Sequence, residues 1–265
     1  MTAALPLIGH AEAQSAFEFA AASGRMHHAW MIEGPSGIGK ARFALRCAAW
    51  LLGARGPADA PFDAPQDDPV MSRCLSGGHP DLRVLTRELN DKGKLKQDIS
   101  IEQIRAFNEF FTYRPALGGW RVGIVDSLDE LNRNSANAVL KTLEEPPNAA
   151  MMFLINHGSR PVLPTIRSRC RTLRLRPLER EDMEAVLQLE GFGGNASEIH
   201  HGRPCCRTII RNLPDRDQRG SHAYEIHAST QRRYRDPRHS GSGNRQRCVR
   251  RLQGRSIVQA GRYRD

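Results

Sequence analysis

The feature of this sequence with the clearest chemical meaning is a glycine-rich stretch that ends in a lysine. Residues 34–41 read GPSGIGKA. In the functional form of this pattern, G-x-x-x-x-G-K is followed by Ser or Thr; backbone N–H groups and the lysine bind phosphate, and the hydroxyl ligates Mg²⁺. The candidate cofactor-binding residues in this stretch are Gly34, Gly37, Gly39, Lys40 and Ala41. Because the last of these has no side-chain oxygen, we expect ATP or ADP to bind weakly and Mg²⁺ to lose one ligand.

An acidic residue follows the apolar run at 121–125. Asp126 stands where nucleotide hydrolases with such a loop place the carboxylate that is linked to Mg²⁺. These enzymes usually carry Glu at the next position, which orients or deprotonates the attacking water. Here that position is Ser127, whose hydroxyl cannot act as a base at neutral pH. The alternative interpretation is that Asp126 only caps the turn after the strand.

Two further polar side chains are candidates for contact with a phosphoryl group. Asn156 follows the apolar run at 151–155 and could reach a γ-phosphate or a water, although Asn is also common at strand ends. Arg169 lies in the sequence TIRSRC at 165–170. A guanidinium neutralises the charge on a transferring phosphoryl group and can be supplied by a neighbouring subunit. Taken alone, such an arginine is more often a solvated surface charge.

Alternating strands and helices must position these side chains. An apolar strand at 28–33 precedes the glycine-rich loop and an amphipathic helix at 40–52 follows it. Ser100 and Gln103 form a capping box at the start of another helix. The further expected strands are 81–85, 121–125, 151–155 and 171–175, and the further expected helices are 98–111, 135–145 and 179–189. This alternation predicts an α/β fold with a parallel sheet covered on both faces, and residues 53–80 are expected to be an exposed connection.

The net charge of the chain is concentrated at one end. The 265 residues carry a formal charge of +10, but residues 1–190 balance, with 23 Lys and Arg against 23 Asp and Glu. Residues 191–265 contain 16 Arg, no Lys and 6 acidic residues. The basic composition therefore describes this segment and does not indicate a DNA-binding face on the rest of the chain.

The segment at 200–265 is open to three interpretations. It has few aliphatic residues in any helical or strand period, so it cannot bury enough apolar surface to offset the entropy of ordering and is expected to be disordered. It could instead be an Arg-rich arm that binds nucleic acid. The third interpretation, which we favour, is a shifted reading frame of a GC-rich gene, because the organised pattern stops abruptly near Ile199.

Cysteine spacing and hydropathy exclude several classes of protein. The six cysteines do not form C-x-x-C pairs, so we assign no metal-ligating residues. No run of about 18 apolar residues is present and the N-terminus does not have the pattern of a secretory signal, so we expect a cytoplasmic protein without a membrane partner.

Residues 1 to about 190 resemble the delta prime family of bacterial DNA polymerase III clamp-loader subunits, which are AAA+ proteins. The last two of the matching motifs are highly specific in combination. The motifs are HA at 28–29, GPSGIGK at 34–40, GHPD at 78–81, ISIEQIR at 99–105, RVGIVDSLDELNRNSANAVLKTLEEPP at 121–147 and LPTIRSRC at 163–170.

The resemblance implies a domain organisation. A P-loop AAA+ domain with a parallel sheet flanked by helices would occupy residues 1–176, and the start of a truncated helical lid would occupy 177–199. The Arg-rich segment at 200–265 would be a non-globular tail, since it does not resemble the helical collar of the family. Of the four-Cys zinc module common in loader subunits only Cys74 is present, so no zinc is expected.

The resemblance also implies a role. Arg169, flanked by Ser168 and Cys170, would act in trans on the ATP held by an adjacent motor subunit. The chain would belong to a DNA polymerase holoenzyme without a polymerase site of its own, and its altered loop argues against ATPase activity. Its partners would be the motor and wrench subunits, with the sliding clamp and primer-template DNA reached through the complex. The alternatives are an autonomous ATPase with a degenerate loop and a nucleic-acid binder acting through the Arg-rich tail.

Overall fold

The computed structural model describes residues 6–189, which are organised around a sheet of five parallel strands. The strands are β1 (Ala29–Glu33), β2 (Leu82–Leu85), β3 (Arg121–Asp126), β4 (Ala150–Asn156) and β5 (Arg171–Arg174). Their order across the sheet is β2-β3-β4-β1-β5, and every pairing between them is parallel. The predicted fold class is therefore confirmed.

Within residues 6–189, seven α-helices connect and cover these strands. They are α1 (Ala11–Ala22), α2 (Lys40–Leu51), α3 (Pro69–Leu75), α4 (Ile101–Phe110), α5 (Arg133–Glu144), α6 (Pro164–Arg167) and α7 (Arg180–Leu189), and a 3₁₀ turn spans Leu128–Glu130. Three of the helices, α1, α3 and α6, were not predicted from the sequence. In α1 the pattern is weak because Phe19 is exposed while Ala13, Phe17 and Ala20 face the core.

Each face of the sheet has its own hydrophobic core. The first core lies under α1, α2 and α3, and its largest members are Phe17, Trp30, Phe43, Phe62 and Phe153. The second core lies under α4, α5 and α6, and includes Met31, Phe107, Val139, Leu143 and Leu154. Alternate residues of one strand thus enter different cores, which is why the central strands are apolar throughout rather than at every second position.

The prediction that residues 53–80 form an exposed connection is wrong. Phe62 and Met71 are buried in the first core, and the segment contains helix α3. Asp68 caps this helix by accepting hydrogen bonds from the backbone N–H groups of Val70 at 2.9 Å and Met71 at 2.8 Å. A few apolar residues that are widely spaced in a polar sequence show no helical or strand periodicity, although their side chains pack in the core.

The GHPD motif has a structural function in this fold. Asp81 is fully buried and pairs with Arg121 at 3.2 Å. It also accepts hydrogen bonds from the backbone N–H groups of Ala116 at 2.7 Å and Leu117 at 2.9 Å. One carboxylate therefore holds the loop between α4 and β3 against the start of the sheet.

Helix α7 lies where the lid was expected to begin, but residues 190–265 lie outside the described part of the chain. The three interpretations of the segment at 200–265 and the domain boundaries at 176 and 199 therefore stay predictions. Between residues 6 and 189, no helix is long and apolar enough to cross a membrane.

Candidate functional site

The glycine-rich loop joins the carboxyl end of β1 to the start of α2, the position from which such loops bind phosphate. Gly39, the residue before α2, has a φ of 91°, in the left-handed region that favours glycine. At Gly34, a Cβ atom would lie 2.4 Å from the carbonyl oxygen of Leu175, so a larger residue does not fit. Glycine is therefore required at both of these positions of the loop.

The lysine of the loop is directed back onto the loop itself. Lys40 is only 2% exposed, and its Nζ donates hydrogen bonds to the carbonyl oxygens of Gly34, at 2.7 Å, and Pro35. Burial lowers the pKa of Lys40 to about 8, although the carboxylates of Asp126 and Asp129 oppose this shift. The ammonium group thus already has acceptors within its own chain.

Metal-dependent hydrolysis needs a hydroxyl after the loop lysine and a carboxylate after Asp126, and this chain has Ala41 and Ser127 at these two positions. The methyl group of Ala41 packs against the first core. Ser127 is fully buried, and its Oγ has no hydrogen-bond partner among the described residues. Neither side chain supplies a metal ligand or a general base.

Asp129 and His157 also belong to the site, although sequence reasoning did not assign them to it. Asp129 is buried and accepts hydrogen bonds from the backbone N–H groups of His157 at 2.6 Å, Ser159 at 2.6 Å and Arg160 at 3.1 Å. The Nε2 atom of His157 lies 3.6 Å from Oδ1 of Asp126. The loop after β4 is therefore fixed by Asp129 and faces the candidate metal carboxylate, Asp126.

The amide of Asn156 is engaged at both ends. Its Nδ2 donates to Oε1 of Glu33 at 3.1 Å, and its Oδ1 accepts from the backbone N–H of Gly158 at 3.0 Å. Glu33, which immediately precedes Gly34, also pairs with Arg167 at 2.7 Å. Sequence reasoning missed Glu33 because its role depends on partners more than a hundred residues away in the chain.

These side chains do not fit a hydrolysable Mg²⁺–nucleotide complex. The lysine and the asparagine are bonded within the chain, and the metal hydroxyl and the catalytic carboxylate are replaced by Ala41 and Ser127. The carboxylate of Glu33 beside the loop is compensated by Arg167 at 2.7 Å and Arg174 at 3.9 Å. In the described part of the chain, no group of three His, Cys, Asp or Glu side chains could hold a metal ion.

Arg169 has a separate environment. Its Nη1 donates to the carbonyl oxygen of Thr165 at 3.0 Å and to Oγ of Ser168 at 3.4 Å, and its Nη2 lies 3.0 Å from Oε1 of Glu144. Oγ of Ser168 also donates to Thr165 at 3.2 Å, which closes the end of α6. Burial raises the pKa of the Cys170 thiol to about 12, and this side chain packs against the second core. Ser168 and Cys170 therefore shape the turn that carries Arg169.

Arg169 lies near the amino ends of the parallel strands, whereas the glycine-rich loop lies at their carboxyl ends. Arg169 comes two residues before β5, whose first residue, Arg171, pairs with Trp30 near the start of β1. The loop instead follows the end of β1, and a parallel strand of five residues spans roughly 16 Å. The structure thus brings together the loop, Asp126 and Asn156, and leaves Arg169 apart from them.

Comparison with known proteins gives consistent matches. A family model described as DNA polymerase III, delta subunit, matches residues 9–179. The chain is 38% identical over 143 residues to DNA polymerase III subunit delta' of Pseudomonas aeruginosa, covering 54% of this chain and 41% of that protein. It is 32% identical over 160 residues to the subunit delta' of Bacillus subtilis, covering 60% and 45%. The matches therefore span less than half the length of these relatives.

A solved structure with a similar arrangement is that of a DNA polymerase III gamma subunit-related protein from Thermotoga maritima. It aligns with 66% of this chain and 49% of that chain, with 18% sequence identity and a TM-score of 0.46.

Proposed function

Because this chain belongs to the DNA polymerase III delta subunit family, we propose that it is a non-hydrolysing clamp-loader subunit of bacterial DNA replication. In this proposal it supplies Arg169 to the ATP held by a neighbouring motor subunit. The observation that carries the proposal is that Arg169 lies near the amino ends of the strands, whereas its own phosphate loop lies at their carboxyl ends. Among the described residues its guanidinium contacts Thr165, Ser168 and Glu144 and not its own loop, so it is available to a nucleotide held by another subunit.

The chemistry of the loop region supports the non-hydrolysing part of the proposal. Metal-assisted phosphoryl transfer needs a cation bridging the phosphates and a group that orients the nucleophile. Ala41 and Ser127 remove one oxygen ligand and one carboxylate, and the internal hydrogen bonds of Lys40 and Asn156 satisfy the groups that would contact phosphate. A nucleotide would have to break these contacts, and its metal ion would have one protein ligand fewer.

The partners belong to the proposal as well. The relatives are named as subunits of DNA polymerase III, so we expect this chain to contact other clamp-loader subunits and, through them, the sliding clamp and primer-template DNA. The proposed site of action is the cytoplasm, where the bacterial chromosome is replicated. Because the matched region is less than half of each relative, assembly is part of what must be tested.

The test is the ATPase activity of a loader reconstituted from this chain and partner motor subunits. We expect Arg169→Ala to slow hydrolysis at the neighbouring site by on the order of 10³. The total DNA-stimulated ATPase rate should then fall by the fraction of the rate that this one site contributes. Arg176→Ala, at an exposed arginine of the same segment, is the matched control. An unchanged rate in a complex that size-exclusion chromatography shows to be intact would contradict the proposed role.

The alternative is an autonomous ATPase, which is favoured by the retained glycine geometry of the loop. It requires Mg²⁺-dependent turnover by the isolated chain that Lys40→Ala abolishes. Turnover of that kind would replace the present proposal.

A further inference from the structure

The end of helix α5 carries an acidic residue where helix electrostatics disfavours one. Glu144 is the last residue of α5, next to backbone carbonyl groups that form the negative end of the helix. A carboxylate at this position is unfavourable unless a cation lies close to it. The cation is Arg169, whose Nη2 lies 3.0 Å from Oε1 of Glu144.

The guanidinium of Arg169 is held by several acceptors but not saturated. In the described part of the chain three groups accept from it, namely the carbonyl of Thr165, Oγ of Ser168 and the carboxylate of Glu144. A guanidinium has five N–H groups, so further donors remain for another anion. The side chain of Arg169 is 36% exposed and that of Glu144 is 48% exposed, so such an anion can approach from solvent.

The backbone beneath this pair is well anchored. Leu143, which precedes the last residue of α5, is buried in the second core, and so is Ile166 of α6. The carbonyl oxygen of Leu143 also lies 3.1 Å from Nε2 of His28, just before β1. Glu144 is therefore presented from a rigid part of the fold, whereas the long side chain of Arg169 has many rotamers of its own.

We propose that Glu144 is a positioning residue that fixes the plane of the Arg169 guanidinium, so that its remaining N–H groups face a phosphoryl group supplied by a neighbouring subunit. This inference rests on the proposed function. Glu144 does not contact the phosphoryl group; it limits the rotamers of Arg169 before the subunits meet. Restricting a flexible side chain in its binding geometry lowers the entropy lost on binding and keeps the reacting groups aligned.

The first experiment uses the isolated full chain and measures the accessibility of Arg169. Phenylglyoxal modifies arginine, and peptide mass spectrometry gives the rate at Arg169. We expect Glu144→Ala to raise this rate roughly threefold, because a charge-assisted hydrogen bond is lost. Glu144→Gln, which keeps an acceptor oxygen, should raise it less. Glu145→Ala is the matched control, since Glu145 is the neighbouring exposed glutamate. Equal rates for wild type and Glu144→Ala would overturn the inference.

The second experiment measures ATP hydrolysis by the reconstituted loader. We expect Glu144→Ala to lower the turnover that depends on Arg169 about fivefold, with unchanged KM and unchanged assembly, and Glu144→Gln to restore part of it. In an Arg169→Ala background, Glu144→Ala should have no further effect, because both changes remove the same interaction.

The outcomes separate the two proposals. If Arg169→Ala leaves hydrolysis unchanged, the proposed function fails, whatever phenylglyoxal shows about the Glu144–Arg169 contact. If Arg169→Ala slows hydrolysis but Glu144→Ala does not, only the positioning role fails. Faster hydrolysis by Glu144→Ala would also overturn it, because Glu144 would then restrain Arg169 rather than orient it.

Discussion

The ammonium group of Lys40 is almost fully buried and is bound by carbonyl oxygens of its own loop. Burial penalises its charged form, whereas the nearby carboxylates of Asp126 and Asp129 favour it, and the net result is a pKa of about 8. The two carboxylates therefore offset only part of the cost of burying this ammonium group.

The lowered pKa of Lys40 predicts a specific dependence of stability on pH. Between its folded pKa of about 8 and its ordinary value of 10.5, the unfolded chain binds more protons than the folded chain, so this group's contribution to stability rises with pH. Relative to Lys40→Met, we expect the wild type to gain about 1 to 2 kcal/mol in free energy of unfolding from pH 8 to 10.5, a value reduced for solvent screening. Urea denaturation at several pH values measures this. A pH-independent difference between the two proteins would contradict it.

Helices α4 and α5 are joined at their starts by hydrogen bonds rather than by apolar contacts alone. The capping box of α4 is confirmed, with the Gln103 backbone N–H donating to Oγ of Ser100 at 3.2 Å and the Ser100 N–H donating to Oε1 of Gln103 at 3.0 Å. The preceding residue, Ile99, accepts a hydrogen bond from Oγ of Ser135 in the first turn of α5 at 2.8 Å. The start of α4 therefore orients the helix that ends at Glu144.

Removal of the cap of α4 should destabilise the protein by a modest, residue-specific amount. We expect Ser100→Ala to lower the free energy of unfolding by about 1 kcal/mol, because the N–H of Gln103 loses its acceptor, and Ser100→Gly to lower it by only a few tenths. Urea denaturation of the two variants beside wild type measures both values. Equal losses for Ala and Gly would show that the hydroxyl does not act as a cap.

The sheet lies between two hydrophobic cores. The tryptophan side chains, whose fluorescence reports on packing, lie in or against only the first of them. Trp30 lies in the first core, and Trp50 and Trp120 pack against it. The second core contains no tryptophan, because these are the only three in the chain. The strands contribute alternate side chains to both cores, so neither core can lose its packing without disturbing the sheet.

This arrangement predicts that the two cores unfold together. Leu143→Ala, in the second core, should lower the free energy of unfolding by about 2 to 5 kcal/mol. The same shift in midpoint is expected from tryptophan fluorescence, which reports on the first core, and from far-UV circular dichroism. A fluorescence midpoint that stays at the wild-type value while the dichroism midpoint falls would show that the cores are independent.

Features that depend on neighbouring residues could be predicted from the amino-acid sequence alone. The apolar strands, the capping box at Ser100 and the glycine-rich loop are set by steric and hydrogen-bonding preferences within a few positions, and their order predicted the parallel α/β fold. The resemblance to the delta prime family was likewise carried by local motifs, and the comparisons confirm it.

Which of these features lie in contact depends on the packing of the folded chain and could not be predicted from local patterns. Three features join residues that are distant in the chain. They are the burial of residues from the segment at 53–80, the hydrogen bond of Asn156 with Glu33, and the hydrogen bonds of Asp129 with the loop after β4. The separation of Arg169 from the phosphate loop depends on strand order and direction. A sequence pattern records what a residue prefers locally, whereas the partner of a buried charge or amide is chosen by packing across the whole sheet.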